Sequence, residues 1–252
     1  MSLQSLPAIA ILLVALSPWI ARGQDQIVSE PGRYPWIPAW EDDVAALIED
    51  NRDRMAGPDD VLIVGSSSVR LWDQIDGDMQ PYSMVRRGYG GARYSDVAYY
   101  LPRLLAGHNP KAVVYFAGND IAGDAAKDIS PTQVADLVES IAIYTRQQFP
   151  NAPIYFIALS VTPKRFAVVD DIRLANQEIA ERIKDIPTCY LIPTEDQLVD
   201  AMGQPREELF RDDRLHLSDA GYDLWAARIK EYFARHLDSP AAATNGRQSN
   251  AR

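Results

Sequence analysis

Short runs of apolar, mostly branched or aromatic residues alternate along this chain with segments of helical periodicity. Each run is too short for a helix and lacks interleaved polar residues, which is typical of strands that are buried on both faces of a parallel sheet. The clearest runs are Val61–Val64, Ala112–Ala117 and Ile154–Leu159. Weaker strands are predicted at Ser83–Gly88 and Cys189–Ile192.

The segments around these strands carry apolar residues at helical spacing. We predict helices over Glu41–Arg54, Tyr94–Leu105 with Pro102 inside it, Ser130–Phe149, Val169–Asp185 and Ser218–Leu237. Strands that alternate with helices in this way predict an α/β fold. The expected architecture is a three-layer αβα sandwich around a central, mostly parallel five-stranded sheet, in a doubly wound, flavodoxin-like order.

Composition limits the classes of partner and cofactor. With 252 residues, of which 47% are hydrophobic, the chain can bury one substantial core, and we place the main domain at residues 56–238, preceded by a lead-in segment and first helix at 24–55. The net charge of -10 argues against a nucleic-acid partner or an anionic membrane surface. Cys189 is the single cysteine, which excludes an intramolecular disulfide and a cysteine-based metal cluster.

The two ends of the chain differ from the rest. Ala8–Ile20 is an apolar run, and Ala21-Arg22-Gly23 places small residues at the positions that a signal peptidase reads. We therefore expect residues 1–23 to be a signal peptide for export to the periplasm or the extracellular space, with an uncleaved membrane anchor as the alternative. Residues 239–252 are small and polar, which predicts a disordered tail.

Unusual polar or glycine-rich groups follow three of the predicted strands: Ser66–Ser68, Gly88–Gly91 and Asn119. The carboxyl ends of parallel strands meet at one edge of the sheet, where ligands bind in open α/β folds. Taken alone, a serine turn after a strand is more often an ordinary strand-to-helix turn with an N-cap serine, or a phosphate cradle, than a catalytic element. Three such loops at one edge predict a common binding or catalytic crevice.

A serine nucleophile needs a base to take its proton, and the chain has three histidines. His108 precedes a strand and so lies at the opposite edge of the sheet, and His236 lies at the end of the last helix. His216 lies in the loop before that helix, three residues after Asp213. A carboxylate at this spacing can hold the imidazole tautomer and stabilise the imidazolium, although it can also pair with a flanking arginine at the surface.

Four segments, in this order, carry a resemblance to a known family: Gly65-Ser66-Ser67, Gly88-Tyr89-Gly90-Gly91, Gly118-Asn119-Asp120 and Asp213-Arg214-Leu215-His216. They are similar to the four signature blocks of the SGNH hydrolases, also called GDSL-type esterases and lipases. The resemblance extends over roughly residues 61–233. It implies the three-layer αβα fold and ester hydrolysis without a metal or organic cofactor.

The resemblance also implies roles for particular residues. Ser67 occupies the position of the nucleophile, and Asp213 and His216 complete a catalytic triad. Ser66 stands where the family usually has aspartate, so the residues alone leave the nucleophile open among Ser66, Ser67 and Ser68.

An oxyanion hole follows from the same resemblance. The backbone N–H groups of Ser67 and Gly91 and the side-chain amide of Asn119 would bind the negative oxygen of the tetrahedral intermediate. Each such donor typically contributes about a hundredfold to a thousandfold to the rate.

We therefore expect an exported serine esterase that acts on a small-molecule or glycan ester, without a nucleic-acid partner and without stable membrane insertion after signal cleavage. The sequence has no long apolar lid segment, which favours short acyl groups, with acetyl esters of carbohydrates as a candidate. Within the family, a lysophospholipase, a thioesterase or an acyltransferase is the alternative. From other classes, a non-catalytic module that binds carbohydrate or phosphate, or a flavodoxin-like cofactor binder, remains open.

Overall fold

The computed structural model describes residues 34–50 and 54–238. Its strands are β1 Asp60–Gly65, β2 Ser83–Gly88, β3 Ala112–Phe116, β4 Ile154–Ile157 and β5 Cys189–Ile192. They form one sheet in the order β2-β1-β3-β4-β5, and every neighbouring pair is parallel. The predicted five-stranded parallel sheet is thus confirmed. The expected signal peptide at 1–23 and tail at 239–252 lie outside the described residues.

Helices cover both faces of the sheet. They are α1 Glu41–Asp50, α2 Ser67–Arg70, α3 Ile75–Asp78, α4 Tyr94–Leu105, α5 Pro131–Gln148, α6 Val169–Ile183, α7 Glu195–Leu198 and α8 Asp219–His236. Short 3-10 helices cover Ile37–Trp40, Pro163–Val168 and Glu207–Leu209. Across residues 34–50 and 54–238, no helix combines the length and the apolar character that crossing a bilayer requires.

Side chains that alternate along the strands divide the core into two layers. Leu62 and Val64 of β1 belong to the layer that α4, α5 and α6 cover, whereas Val61 and Ile63 belong to the layer under α3 and α8. Strands β3 and β4 alternate in the same way. Every strand residue from Val61 to Val64 is fully buried, which explains the unbroken apolar run in the sequence.

Helix boundaries depart from the sequence prediction at a few points. The first helix is described as far as Asp50, residues 51–53 of the predicted helix lie outside the described residues, and Arg54 is not helical. Helix α4, by contrast, has the predicted bounds Tyr94–Leu105 and runs unbroken through Pro102. The single-turn helices α2, α3 and α7 were not predicted, because four residues are too few to show helical periodicity.

The strand register brings the candidate loops to one level of the sheet edge. Gly65, at the end of β1, is paired with Gly88 of β2 on one side and with Phe116 of β3 on the other. The chain leaves β1 toward β2 and later returns to β3 on its other side. The crevice between the diverging connections is the topological switch point, where open α/β sheets bind their ligands.

Candidate active site

The first loop at this edge is a tight turn from strand to helix. Gly65 ends β1, and a β-carbon at this position would lie 2.0 Å from the carbonyl oxygen of Phe116, so only glycine allows β1 and β3 to approach so closely. The same carbonyl accepts a hydrogen bond from the backbone N–H of Ser66 at 2.9 Å. Ser66 is the N-cap of α2, and Ser67 is therefore the first helical residue.

Ser67, His216 and Asp213 form a hydrogen-bonded chain. The Ser67 Oγ lies 2.8 Å from His216 Nε2, and His216 Nδ1 lies 2.5 Å from Asp213 Oδ2. The side chain of His216 is 19% exposed and that of Asp213 is 43% exposed, so the triad opens to solvent at its carboxylate end. This order of contacts is what proton transfer from a serine hydroxyl to a histidine requires.

The structure distinguishes the three serines of the turn. Ser67 is the one whose hydroxyl contacts His216. Ser66 is buried, with 1% exposure. Ser68 takes part through its backbone, because its carbonyl accepts a hydrogen bond from the hydroxyl of Tyr222 in α8 at 2.8 Å. The geometry therefore favours Ser67 as the reacting serine.

Asp213 is held as an anion by donors on its own turn. Its Oδ1 accepts hydrogen bonds from the backbone N–H groups of Leu215 and His216, both at 2.9 Å. Burial by itself raises the pKa of this carboxyl, but the hydrogen bonds from His216 and Leu215 outweigh it and bring the pKa to about 2. Asp213 is therefore ionised at neutral pH and accepts from His216 Nδ1.

Two arginines support this loop rather than pairing with its carboxylate. Arg211 donates from Nε to the carbonyl of Leu217 at 3.0 Å and from its terminal nitrogen to the carbonyl of Leu71 at 3.1 Å, which ties the loop to the end of α2. Arg214, which has a φ of 60°, forms an ion pair with Glu207 at 2.5 Å. The structure therefore does not contain the alternative, an ion pair between Asp213 and Arg211 or Arg214.

Two of the three predicted oxyanion donors lie at the cleft. As the first residue of α2, Ser67 has a backbone N–H without an acceptor inside its helix. The side-chain nitrogen of Asn119 donates to the carbonyl of Ala92 at 2.7 Å, and its Oδ1 accepts from Arg165. These bonds fix the orientation of the amide, and the second proton on the Asn119 nitrogen has no acceptor among the described residues.

Gly91 is placed differently from the other predicted donors. It has a φ of 74°, and a β-carbon at this position would lie 2.7 Å from the indole ring of Trp40, so this backbone conformation and this contact both require glycine. Gly91 is not among the residues that line the cleft. Its loop is nevertheless connected to the cleft through the bond between Ala92 and Asn119.

Two buried carboxyl groups lie behind these loops, and their burial was not predicted. Asp96 accepts hydrogen bonds from the hydroxyl of Tyr89 at 2.7 Å and the backbone of Arg93 at 3.0 Å, and Asp120 accepts from the backbone of Tyr94 at 2.6 Å. Burial raises the pKa of Asp96 to about 8 and that of Asp120 to about 6. The two side chains brace the loops that carry Gly91 and Asn119.

A cleft opens beside Ser67 and His216 at the carboxyl edge of the sheet. Its lining combines the predicted polar residues with apolar side chains from both core layers and with the loop after β4. The lining residues are Ser66, Ser67, Ser68, Phe116, Gly118, Asn119, Leu159, Ser160, Thr162, Arg165, Ile172, Phe210, Leu215, His216, Leu217 and Trp225. Among these, Ser160, Thr162 and Arg165 were not predicted, although they follow β4 directly at the same sheet edge.

The other two histidines lie away from the cleft, as the sequence indicated. His108 is buried and accepts a hydrogen bond from the backbone of Ala56 at 2.9 Å, and burial together with the charge of Arg87 lowers its pKa to about 4. His236 stacks on Tyr190 with ring centroids 4.0 Å apart. Within residues 34–50 and 54–238, no group of histidine, cysteine, aspartate and glutamate is arranged to hold a metal ion.

Comparison with known structures agrees with the fold. A protein from Streptococcus pneumonia named for platelet activating factor superposes with a TM-score of 0.67 and 22% identity, over 79% of this chain and 94% of that chain. A GDSL-like lipase from Bacteroides thetaiotaomicron gives a TM-score of 0.60 and 17% identity, over 79% and 97%. An acetyl xylan esterase gives 0.56 and 18%, over 69% and 98%.

Residues 55–224 match the GDSL-like lipase/acylhydrolase family. This match covers the strands and all four motif segments, and it confirms the resemblance found in the sequence. The chain therefore belongs to this family, whose members are hydrolases that act on esters. A search of curated protein sequences found no significant match.

Proposed function

We propose that this protein is a serine esterase that hydrolyses carboxylic esters through an acyl-enzyme on Ser67, with a preference for short acyl groups such as acetyl. The observation that carries the proposal is the contact of 2.8 Å between Ser67 Oγ and His216 Nε2, continued at 2.5 Å to Asp213. An anion cradle or a simple helix cap has no use for a histidine and carboxylate aligned behind the serine hydroxyl.

The proposed reaction has two halves. Ser67 Oγ attacks the ester carbonyl carbon while His216 Nε2 takes its proton, and Asp213 stabilises the imidazolium. The backbone N–H of Ser67 and the free amide proton of Asn119 bind the oxyanion. His216 then gives the proton to the departing alcohol, which leaves an acyl-Ser67. A water molecule, activated by the same histidine, hydrolyses this ester and releases the acid.

The preference for a short acyl group draws support from two points. The sequence has no long apolar lid segment. Among the structural neighbours is an acetyl xylan esterase, which makes acetyl esters of carbohydrates a reasonable first class to assay. Thioesters, lysophospholipids and transfer of the acyl group to a sugar hydroxyl belong in the same panel, because one triad supports all of these reactions.

The test is hydrolysis of p-nitrophenyl esters of increasing acyl length by the wild type, Ser67→Ala and Ser68→Ala. We expect the highest kcat/KM for the acetate, a loss of about a thousandfold or more in Ser67→Ala, and most of the activity retained in Ser68→Ala. Equal rates for the wild type and Ser67→Ala would refute the assignment of the nucleophile. A much higher kcat/KM for long acyl chains would refute the acetyl preference alone.

We further propose that residues 1–23 are removed during export. N-terminal sequencing of protein recovered from a secreting host should begin at Gln24, whereas an intact N-terminus in the membrane fraction would indicate an uncleaved anchor.

A further inference from the structure

Arg165 is a charged side chain at the cleft whose hydrogen-bond acceptors among the described residues are neutral. It lies on the 3-10 helix Pro163–Val168, and its terminal nitrogens donate to the carbonyl of Gly118 at 2.5 Å and to Oδ1 of Asn119. A guanidinium has five N–H donors, so two bonds leave others free. In the part of the chain that the structure describes, no carboxylate lies within ion-pair distance of it.

The guanidinium of Arg165 is protonated and positively charged at neutral pH. Burial lowers the pKa of its guanidinium to about 10, while the carboxyl groups of Asp128 and Asp120 act on it from a distance in the opposite sense. Buried charges in proteins are normally paired, because an unpaired charge loses its hydration without compensation. A cation in a cleft without a partner of opposite charge is therefore suited to an anionic ligand.

Two hydroxyl groups on the same loop also lack partners. Ser160 and Thr162 line the cleft with Arg165, and their side-chain oxygens are buried without a hydrogen-bond partner among the described residues. Thr162 is only 3% exposed. Buried polar groups that bond to nothing are uncommon in folded proteins, and each calls for an explanation such as a bound water molecule or ion. All three side chains come from the loop between β4 and α6, on the side of the cleft where Asn119 lies.

We propose that Arg165, together with Thr162 and Ser160, forms a subsite for an anionic oxygen group, such as a carboxylate, that the ester substrate carries in addition to its scissile bond. This inference rests on the proposed function, since it assigns the substrate class of the same cleft. A guanidinium and hydroxyls give charge-assisted hydrogen bonds to such a group. A neutral ester would leave these donors unpaired, and a site built this way discriminates strongly against it.

The test compares two matched pairs of esters. Mono-p-nitrophenyl adipate and its methyl ester differ by one negative charge on the acyl side, and p-acetoxybenzoate and its methyl ester differ by one charge on the alcohol side. Rates are corrected for hydrolysis without enzyme. We expect kcat/KM of the wild type to be about tenfold or more higher for the anionic member of at least one pair, and that pair shows on which side the charge is bound.

Variants distinguish two roles of Arg165, binding of a negatively charged substrate group and positioning of Asn119. Arg165→Gln should reduce the ratio of anionic to neutral kcat/KM about tenfold or more, and the near-isosteric Thr162→Val should reduce it about threefold. Lys164→Gln removes a neighbouring exposed cation outside the cleft and should leave the ratio unchanged. If the wild type hydrolyses these esters without preferring an anionic member of either pair, or if Arg165→Gln lowers both rates equally, the subsite is refuted and Arg165 only positions Asn119.

A binding measurement tests the subsite independently of the proposed esterase activity. Calorimetric titration of Ser67→Ala with monomethyl adipate, dimethyl adipate and p-acetoxybenzoate requires no turnover. We expect an anionic ligand to bind about tenfold or more tighter than the neutral diester, and Arg165→Gln in the same background to abolish the difference. If no ester is hydrolysed and this difference persists, the esterase proposal fails and the subsite stands. Equal binding of charged and neutral ligands refutes the subsite.

Discussion

The substitution Asp213→Asn changes the proton arrangement of the triad while it preserves most of its shape. The Oδ1 atom of the new amide can still accept the two backbone N–H bonds that Asp213 accepts at 2.9 Å. The atom that faces His216 Nδ1, now 2.5 Å away, becomes an NH₂ group, which is a donor. His216 must then accept at Nδ1 and carry its proton on Nε2, where it cannot take the proton of Ser67.

The size of the effect follows from the exposure of the carboxylate. A wrong histidine tautomer lowers kcat about ten-thousandfold where the aspartate of the triad is buried. The side chain of Asp213 is 43% exposed, so water can restore part of the correct tautomer. We therefore expect kcat to fall about a hundredfold to a thousandfold, or roughly 2.7 to 4 kcal/mol in activation free energy, with little change in KM.

The assay is steady-state hydrolysis of p-nitrophenyl acetate, with the thermal midpoint as a check on folding. Asp212→Asn is the matched control, because Asp212 is the adjacent exposed aspartate and the His216 ring is hydrogen-bonded to Asp213 and Ser67 instead. It should retain the wild-type kcat. Loss of less than about tenfold in Asp213→Asn, with a folded protein, would show that this carboxylate does not hold the tautomer of His216.

Three further predictions concern the supports of the site. Gly65→Ala should lower the free energy of unfolding by roughly 3 kcal/mol or more, since its new methyl group would lie 2.0 Å from the carbonyl oxygen of Phe116; an unchanged urea midpoint would contradict this. Burial raises the pKa of Asp96 from 3.8 to about 8, so the folded state binds more protons than the unfolded state between these values. Stability should therefore fall as the pH rises from about 4 to about 8, and Asp96→Asn should flatten this slope in urea titrations at a series of pH values. Trp40→Ala removes the ring that lies against Gly91, so the loop that carries Gly91 should be held less firmly and kcat for p-nitrophenyl acetate should fall about tenfold. An unchanged kcat would show that this contact does not contribute to catalysis.

The sheet was predictable because the burial of its strands restricts which residues can occupy them. A parallel strand that is covered on both faces must be apolar throughout, and Val61–Val64 shows this directly in the sequence. The carboxyl ends of such strands lie at one edge of the sheet, so the sequence alone predicts that the loops after β1, β2 and β3 lie close together. Asp213 and His216 were found because their spacing of three residues allows local contact within a turn.

Other features depend on packing that a single sequence does not reveal. Arg165 lies in a segment without a recognisable motif, and its contacts with Gly118 and Asn119 arise from how the loop after β4 folds across the sheet edge. The residues around Asp96 and Asp120 do not indicate that these carboxyl groups are buried, yet both are fully buried in the fold. The separation of Gly91 from the cleft lining likewise depends on tertiary structure, because Trp40 packs against it from the lead-in segment.

Covalent labelling tests the central claim, that Ser67 is a nucleophile activated by His216, most directly. The wild type, Ser67→Ala, Ser68→Ala and His216→Ala would be treated with a fluorophosphonate probe, and the modified peptide would be mapped by mass spectrometry. The account predicts one adduct, on Ser67, in the wild type and in Ser68→Ala, none in Ser67→Ala, and slow labelling in His216→Ala. An adduct on Ser66 or Ser68, or equal labelling of all four proteins, would contradict it.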